Sequence, residues 1–374
     1  MKFLSIKKQS LKVLLAGVVG LGSISPSFAD NIDYGKVGSP INLVVGYQPY
    51  YTESWSGVVM RGKKFYEKYL PKGSTVEFQV GLQGAIIVNN MLAGKQQIGY
   101  LGDMPAIVST TKPEVADIRL VGVLGMSNDM CNVILVRPDA PDFKTPKDAL
   151  QWLNGKIVAA PKGSCVDRFV LDAFKKENIK PESYLNQNIE VITSNFRAKK
   201  IDGAAIWEPT ASKLVEEGLA KRVASGYTVG LSDGAFLAMR DDLIKARPDI
   251  AQAWMNAELD AQLFLADEKN AKEVIDIGMA YTTGFTRTSI SRSVYGQSPD
   301  QMGSKVRFTL PFTFTPDARK LVAGATSFLK EMKAINVAEL RSDAIVTKFA
   351  DEALKARNLK APVGDVTVIN PAPN

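Results

Sequence analysis

The sequence predicts an α/β protein of two lobes, each built from a mixed, mainly parallel sheet flanked by helices. Three observations lead to this fold class. The chain of 374 residues is too long for one ordinary core. Short apolar runs alternate with segments of helical spacing, which is typical of βαβ units. The alternation is interrupted near residues 131–133 and 231–235, so we expect two hinge crossings there, between a first lobe and an inserted second lobe.

Residues 1–29 are predicted to be a cleaved secretory signal. Four lysines and no acidic residue accompany an apolar run that is too short to span a bilayer. Ser27 and Ala29 supply the small residues that signal cleavage requires. We therefore expect cleavage after Ala29 and a periplasmic protein, whose residues 30–40 form a loose polar leader.

The first lobe is assigned to residues 41–131 and 233–374, the latter including the C-terminal helices. Apolar runs and alternating patterns predict its strands at residues 41–45, 75–80, 97–101, 120–124 and 235–239. Helical spacing predicts helices at residues 85–93 and 104–110, and a mostly helical region from Pro248 onward.

The second lobe is assigned to residues 132–232. The same patterns predict strands at residues 133–136, 157–160, 189–192 and 204–207. Helices are expected at residues 164–176 and 210–217. A ligand in such an architecture lies between the lobes, beside the carboxyl ends of the strands.

The composition excludes several classes of function. The chain has no histidine, and its two cysteines cannot build a four-cysteine zinc site. We therefore predict a protein without enzymatic activity, metal or cofactor. Without the four lysines of the signal, the formal charge falls from +7 to +3, which does not favour a nucleic-acid partner. Ser109 and Lys112 match S-x-x-K, but no K-T-G follows, so this match indicates no catalytic site.

Three turns follow predicted strands and begin predicted helices. They are Gln83-Gly84, Gly102-Asp103-Met104 and Gly163-Ser164-Cys165. The first N–H groups of a helix have no partner within the helix and carry the positive end of its dipole. We predict that the three turns converge on one cleft and bind an anion there. Asp103 is equally well explained as a helix cap.

Further candidates for ligand contact come from the loops that follow strands. Gln48, Tyr50 and Tyr51 follow the first strand. Trp207 ends the last strand predicted in the second lobe, and Glu208 follows it. These aromatic rings favour a small organic sulfonate or carboxylate over bare nitrate. Arg168 could pair with the anionic group of such a ligand. The alternatives are a core tryptophan, a helix-capping glutamate and an arginine in a surface ion pair.

The two cysteines form a candidate disulfide. Cys131 lies at the first crossing, and Cys165 lies in a turn that should face the same cleft. An even number of cysteines in an oxidising compartment is more often bonded than free. The alternative is two small, buried thiols.

Taken in order, these segments resemble the nitrate/sulfonate/taurine family of periplasmic substrate-binding proteins, in particular its alkanesulfonate-binding members. The resemblance covers about residues 40–335. It is carried by Gly46-Tyr47-Gln48-Pro49, Gly102-Asp103-Met104-Pro105-Ala106, Ile134-Leu135-Val136-Arg137-Pro138-Asp139, Pro161-Lys162-Gly163-Ser164 and Trp207-Glu208-Pro209. Cys165 departs from the family pattern, since it replaces a small hydroxyl residue.

The resemblance implies the type II periplasmic binding protein fold and a role as the solute-binding component of an ABC importer. Such a protein captures a small organic anion between its lobes and delivers it to a permease and its ATPase at the inner membrane. We expect a monomer. Two other functions stay open: a histidine-independent enzyme that uses Glu208 and Asp103 as acid and base, and a periplasmic ligand sensor.

The signal assignment predicts the N-terminus of the exported protein. Expression of the full chain in a Gram-negative host should yield periplasmic protein that begins at Asp30, because the small residues precede that position. N-terminal sequencing measures this directly. Exported protein that retains Met1 would contradict the assignment.

Overall fold

The computed structural model describes residues 32–370 and 372–373. The predicted signal and its cleavage site lie outside the described residues. Residues 32–40 are not a loose leader, which corrects that expectation. The Tyr34 side chain is buried, and the Arg247 guanidinium donates hydrogen bonds to the carbonyl oxygens of Tyr34 and Ser39, at 2.8 and 2.7 Å. This segment is therefore held against the first lobe.

The first lobe contains a seven-stranded sheet. Its strands are β1 (Asn42–Tyr47), β2 (Thr75–Val80), β3 (Ile98–Gly102), β4 (Ile118–Ser127), β10 (Asp233–Arg240), β11 (Val306–Leu310) and β12 (Gly364–Thr367). Their order across the sheet is β12-β11-β4-β10-β3-β1-β2. Strand β10, formed after the chain returns from the second lobe, lies between β3 and β4 and is antiparallel to both. The returning chain thereby closes the middle of the sheet.

Helices cover both faces of this sheet, so its strands are largely buried. One face packs against α1 (Ser56–Lys63), α10 (Pro248–Ala266), α11 (Ala271–Tyr281), α12 (Arg287–Tyr295) and α14 (Lys348–Ala356). The other packs against α2 (Gly84–Leu92), α3 (Asp103–Ser109) and α13 (Pro316–Glu331). The short α9 (Asp241–Ala246) follows β10. Single 3-10 turns lie at Thr52–Ser54, Phe65–Lys68, Glu268–Asn270 and Pro299–Gln301.

The second lobe contains a five-stranded sheet. Its strands are β5 (Val133–Val136), β6 (Ile157–Ala160), β7 (Ser183–Asn186), β8 (Gly203–Ile206) and β9 (Lys221–Ser225), in the order β7-β6-β8-β5-β9. Its helices are α4 (Pro146–Trp152), α5 (Cys165–Glu177), α6 (Ile189–Arg197), α7 (Thr210–Glu216) and α8 (Gly226–Val229). Alternate residues of β5 pack on opposite faces, Ile134 with the core beside α5 and Val133 with the core beside α6 and α7.

Two expectations about these elements are wrong. Residues 189–192 belong to α6 and not to a strand. Ile189, Ile192 and Phe196 have helical spacing, and the Asn188 side chain caps the helix by accepting from the Val191 N–H group at 2.9 Å. The sheets are mixed, as expected, but parallel pairing does not predominate. It is confined to β1–β2, β1–β3, β6–β7 and β6–β8, and the other described pairs are antiparallel.

The chain crosses between the lobes twice, between β4 and β5 and again between β9 and β10. The crossings touch at Gly226, where a Cβ atom would collide with the carbonyl oxygens of Asn128 and Leu231. They are also joined through Asp233, which accepts a hydrogen bond from the Ser127 hydroxyl at 2.8 Å and another from the Cys131 N–H group. The two lobes are thus connected by two closely packed segments.

A buried ion-pair network surrounds the first crossing. The Asp129 carboxylate is fully buried and accepts from Arg222 of the second lobe at 2.8 Å and from Arg307 of the first lobe at 2.5 Å. The Ser298 hydroxyl donates to the same carboxylate. Burial raises the pKa of Asp129, but Arg307 and Arg222 outweigh it and hold that pKa below its usual value. One carboxylate therefore connects both lobes to the crossing.

No helix among residues 32–370 is long and apolar enough to cross a membrane.

Removal of the Asp129 carboxylate should strongly destabilise the fold. In Asp129→Ala two buried arginines lose a partner, so the free energy of unfolding should fall by about 3–5 kcal/mol. Urea denaturation measures this change. The control is Asp139→Ala, which removes a half-exposed carboxylate paired with Arg137 and should cost less than about 1 kcal/mol. Equal losses in the two variants would contradict the role assigned to Asp129.

Candidate functional site

A cavity of about 190 Å³ lies between the two lobes, and we call it the inner cavity. It is lined from the first lobe by the end of β1, the starts of α2 and α3, and residues that follow α3. The second lobe contributes the start of α5 and the end of β8. The predicted site residues among its lining are Gln48, Tyr51, Gln83, Gly84, Gly102, Gly163, Ser164, Cys165 and Trp207. The expected convergence of three helix starts is present in the structure.

The start of α2 presents free backbone donors to the inner cavity. Gln83 is the N-cap residue in an extended conformation, and its side chain makes no capping hydrogen bond. Gly84 is the first helical residue, and a Cβ atom there would collide with the Pro105 ring. The glycine therefore lets the start of α2 lie directly against the start of α3.

The start of α5 faces the inner cavity from the second lobe and is likewise uncapped. The Ser164 hydroxyl donates to the Pro161 carbonyl oxygen at 2.5 Å and does not cap the helix. Gly163 has φ +75°, and its N–H group donates to Asp167 Oδ2 at 2.8 Å. The N–H groups of the first turn consequently have no side-chain acceptor, which favours a negatively charged ligand.

The start of α3 does not offer an equivalent site, which corrects the role predicted for Asp103 and Met104. The Asp103 carboxylate is fully buried, and its Oδ1 accepts from the Met104 N–H group at 2.7 Å. Pro105 has no N–H group. The Met104 side chain is buried in the core beneath α3. Of the predicted turn, Gly102 lines the inner cavity.

Arg168 was predicted to contact the ligand, but it does not line the inner cavity. Its Nη2 lies 2.8 Å from Asp103 Oδ2 and 2.7 Å from the Ser232 carbonyl oxygen. The Arg168 and Asp103 side chains are both buried. They pair with each other because a buried charge needs an opposite partner. Arg168 therefore joins the second lobe to the first, and no free guanidinium faces the cleft at this position.

Glu208 is also absent from the lining of the inner cavity. Its carboxylate is fully buried and accepts from Arg222 Nη1 at 2.6 Å and from the Ser212 N–H group at 2.9 Å. Burial raises the pKa of Glu208, and Arg222 opposes that shift. The residue is a buried partner of Arg222 and a support for α7, which corrects the predicted contact with ligand.

Trp207 and Tyr50 form a contact between the lobes. The Trp207 indole Nε1 donates to the Tyr50 carbonyl oxygen at 2.9 Å. Trp207 lines the inner cavity, and Trp207 and Tyr50 both line a second cavity. The backbone of Thr52 also donates to the Glu208 carbonyl oxygen, at 3.2 Å. The lobes are thus in direct contact around the cleft.

Tyr51 supports one wall of the inner cavity. Its hydroxyl donates to the buried Glu53 carboxyl group. Burial, together with the neighbouring Asp233 carboxylate, raises the pKa of Glu53 well above its usual value. Gln48 is fixed by a hydrogen bond from its Nε2 to the Tyr100 carbonyl oxygen, at 3.1 Å.

The sequence analysis missed the cationic side chains of the site. Lys112 and Lys162 line the inner cavity, and its described lining contains no acidic residue. Lys162 lies in the Pro161–Ser164 turn, so its position beside the predicted site was a usable signal. Lys112 belongs to the S-x-x-K match, so it was considered as a catalytic residue and not as a positive charge that could bind an anion. The other missed lining residues are Ala85, Val88, Asn89, Leu92, Pro105, Val108 and Pro161.

Comparison with known proteins identifies the family of the chain. The model of the NMT1-like family matches residues 39–279, which is more than half of the chain. The chain belongs to the NMT1-like family. It is 27% identical over 228 residues to the taurine-binding periplasmic protein of Escherichia coli (strain K12), a match that covers 59% of this chain and 66% of that relative.

Solved structures share the fold. The alkanesulfonate-binding protein SsuA from Xanthomonas axonopodis pv. citri, bound to MOPS, superposes with a TM-score of 0.67 at 20% identity, covering 83% of this chain and 99% of SsuA. The nitrate-binding protein NrtA from Synechocystis PCC 6803 gives 0.64 at 15% identity, covering 84% of this chain and 88% of NrtA. The two-lobed architecture is therefore that of these binding proteins.

The described residues contain no group of three or more histidine, cysteine, aspartate or glutamate side chains arranged to hold a metal ion. Cys131 and Cys165 are joined by a disulfide, with their Cα atoms 6.0 Å apart. Cys165 lines the inner cavity, whereas Cys131 is fully buried at the first crossing. The bond ties the start of α5 to that crossing.

We predict that the exported protein contains this disulfide. Thiol titration in denaturant, without reductant, should find no free cysteine. The double variant Cys131→Ala/Cys165→Ala should lose about 2–4 kcal/mol of unfolding free energy, because the bond closes a loop of 34 residues in the unfolded chain. Two titratable thiols in the exported protein would contradict the prediction.

Proposed function

We propose that the protein is the periplasmic solute-binding component of an ABC importer and that it captures a small organic anion, most favourably a sulfonate. The ligand binds in the inner cavity between the lobes and passes to a permease, which an ATPase drives. The taurine-binding relative and the fold shared with SsuA support the class of function. The chemistry of the cavity supports the class of ligand.

One observation carries the proposal. The starts of α2 and α5 face the inner cavity without side-chain caps, and the charged side chains that line it are Lys112 and Lys162. Backbone donors, helix dipoles and two cations all favour negative charge at the same place. Of the nearby buried acids, Asp103 is paired with Arg168, Asp167 accepts a hydrogen bond from the Gly163 N–H group, and burial raises the pKa of Glu53 well above its usual value.

The free energies that the cavity can contribute to binding indicate an organic anion. A partly buried helix terminus stabilises a charge by up to about 2 kcal/mol, and a hydrogen bond to a charged group contributes about 1.5–3 kcal/mol. Micromolar affinity needs roughly 8 kcal/mol before the cost of ordering the ligand is added. Apolar contact with Tyr51, Val88, Leu92 and Trp207 can supply the remainder, since these side chains line the cavity. Nitrate has no apolar group that could make these contacts.

We further propose that the protein binds its ligand without transforming it. An enzyme on this fold would need an acid and a base at the ligand, and the sequence offered Glu208 and Asp103. Both carboxylates are buried outside the inner cavity and engaged by Arg222 and Arg168. This supports a binding function, as does the periplasmic export expected from residues 1–29.

The anion preference is tested by isothermal titration calorimetry of the exported protein with alkyl and aryl sulfonates, matched carboxylates, taurine and nitrate. At least one sulfonate should bind with micromolar or tighter affinity. Lys112→Met and Lys162→Met should each weaken that binding by about tenfold or more, because each removes a charge from the cavity.

The control is Lys147→Met, which removes an exposed lysine of α4 that lies outside the cavity. Its affinity should equal that of the parent chain. Tight binding of nitrate with no response to any organic anion would contradict the proposal. Undiminished binding by a Lys112→Met/Lys162→Met double variant would contradict it equally.

A further inference from the structure

The turn of residues 161–164 lines the inner cavity, but the side chains that fix its backbone are not part of the cavity lining. The Lys162 N–H group donates to Asn186 Oδ1 at 3.0 Å, and the Gly163 N–H group donates to Asp167 Oδ2 at 2.8 Å. Asn186 ends β7, which is an edge strand of the second sheet. The shape of the turn is therefore set by residues that do not line the cavity.

Tyr184, also in β7, contacts both the acid and the lysine. Its hydroxyl donates to Asp167 Oδ1 at 2.6 Å, so both oxygens of this buried carboxylate accept a hydrogen bond. Burial and the Asp167 carboxylate raise the pKa of Tyr184, so the hydroxyl keeps the proton that it donates. The Lys162 ammonium lies 5.0 Å from the centroid of the tyrosine ring, where it makes a cation–π contact. One side chain thus connects the cation to the acid that holds the turn.

These contacts order groups that are otherwise free to move. Lys162 is exposed, and the loss of its many rotamers on binding opposes binding of a ligand. A ring that already holds the ammonium removes part of that entropy loss before the ligand arrives. The hydrogen bond to Asp167 acts in the same way on the backbone, since it fixes Gly163 at φ +75°, one of many conformations open to an unrestrained glycine.

We propose that Tyr184 and Asp167 are positioning residues of the anion site, which hold Lys162 and the turn of residues 161–164 in the arrangement that receives the ligand. The two parts of Tyr184 have separate roles. Its ring orders the Lys162 side chain, and its hydroxyl orders the turn through Asp167. This inference rests on the proposed anion-binding function and adds to it two residues that set affinity without lining the cavity.

The first test is calorimetric titration of the exported protein with ethanesulfonate and benzenesulfonate. Tyr184→Phe keeps the ring and should weaken binding by about threefold, whereas Tyr184→Leu loses both contacts and should weaken it by about tenfold. Asp167→Ala should also weaken binding by threefold or more. Charge alone predicts the opposite sign for this variant, because it removes an acid beside an anion site.

A double-mutant cycle separates positioning from general support of the fold. If the Tyr184 ring acts through the lysine, Tyr184→Leu should weaken binding by only about threefold in a Lys162→Met background, since the hydroxyl contribution alone remains there. A merely structural role predicts the same tenfold loss in both backgrounds. Urea denaturation of each variant shows that it is folded under the conditions of the titration.

Tyr69 of the first lobe provides a matched control, because it has the same two contacts away from the site. Its hydroxyl donates to Asp260 Oδ2 at 2.7 Å, and the Lys68 ammonium lies 5.0 Å from its ring centroid. None of these three residues lines the inner cavity. Tyr69→Phe and Tyr69→Leu should therefore lower the free energy of unfolding, as the Tyr184 variants do, and leave both affinities within about twofold of the parent chain.

The outcomes separate this inference from the function on which it rests. If the parent chain binds no sulfonate, the proposed function fails and the positioning roles fail with it. If the parent chain binds but Tyr184→Leu or Asp167→Ala retains full affinity, the positioning roles alone are wrong. Equal losses in the two Lys162 backgrounds, or equal weakening by the Tyr69 variants, would overturn them as well, since a general loss of stability then explains the result.

Discussion

The cleft depends on one buried carboxylate at the first crossing between the lobes. Asp129 binds Arg222 from the second lobe and Arg307 from the first, so its charge is compensated only when both lobes are folded and correctly placed. A buried charge without a partner costs several kcal/mol, which makes this arrangement strongly preferred over others. Asp129 lies between β4 and β5, so these ion pairs hold the two lobes together at the crossing.

The same requirement for charge compensation determines the electrostatics of the site. Arg222 also binds Glu208, and Arg168 binds Asp103, so these two acids beside the cleft are neutralised inside the protein. Burial raises the pKa of Asp233 to about 7, with an opposing effect from Ser127, and it raises the pKa of Glu53 well above its usual value. The helix starts and the two lysines of the inner cavity consequently act on a ligand while Asp103 and Glu208 are each paired with an arginine.

The lobes touch one another directly around the cleft. Arg168 reaches Asp103, Trp207 reaches the Tyr50 carbonyl, and Thr52 reaches the Glu208 carbonyl. A ligand that contacts both lobes adds to these bonds and so favours the closed arrangement in proportion to its extra contacts.

The sequence by itself determined the local features: the strand-turn-helix units, the glycine turns at the starts of α2 and α5, and the absence of histidine chemistry. These depend on neighbouring residues and on composition. Only the tertiary structure decided the partners of Asp103 and Glu208, because Asp103 meets Arg168 across 65 positions of the chain. It likewise decided that Ile189–Arg197 is helical, since a short apolar run fits strand or helix until the packing partner of Phe196 is known. Long-range burial of charge and of apolar faces cannot be read from local pattern.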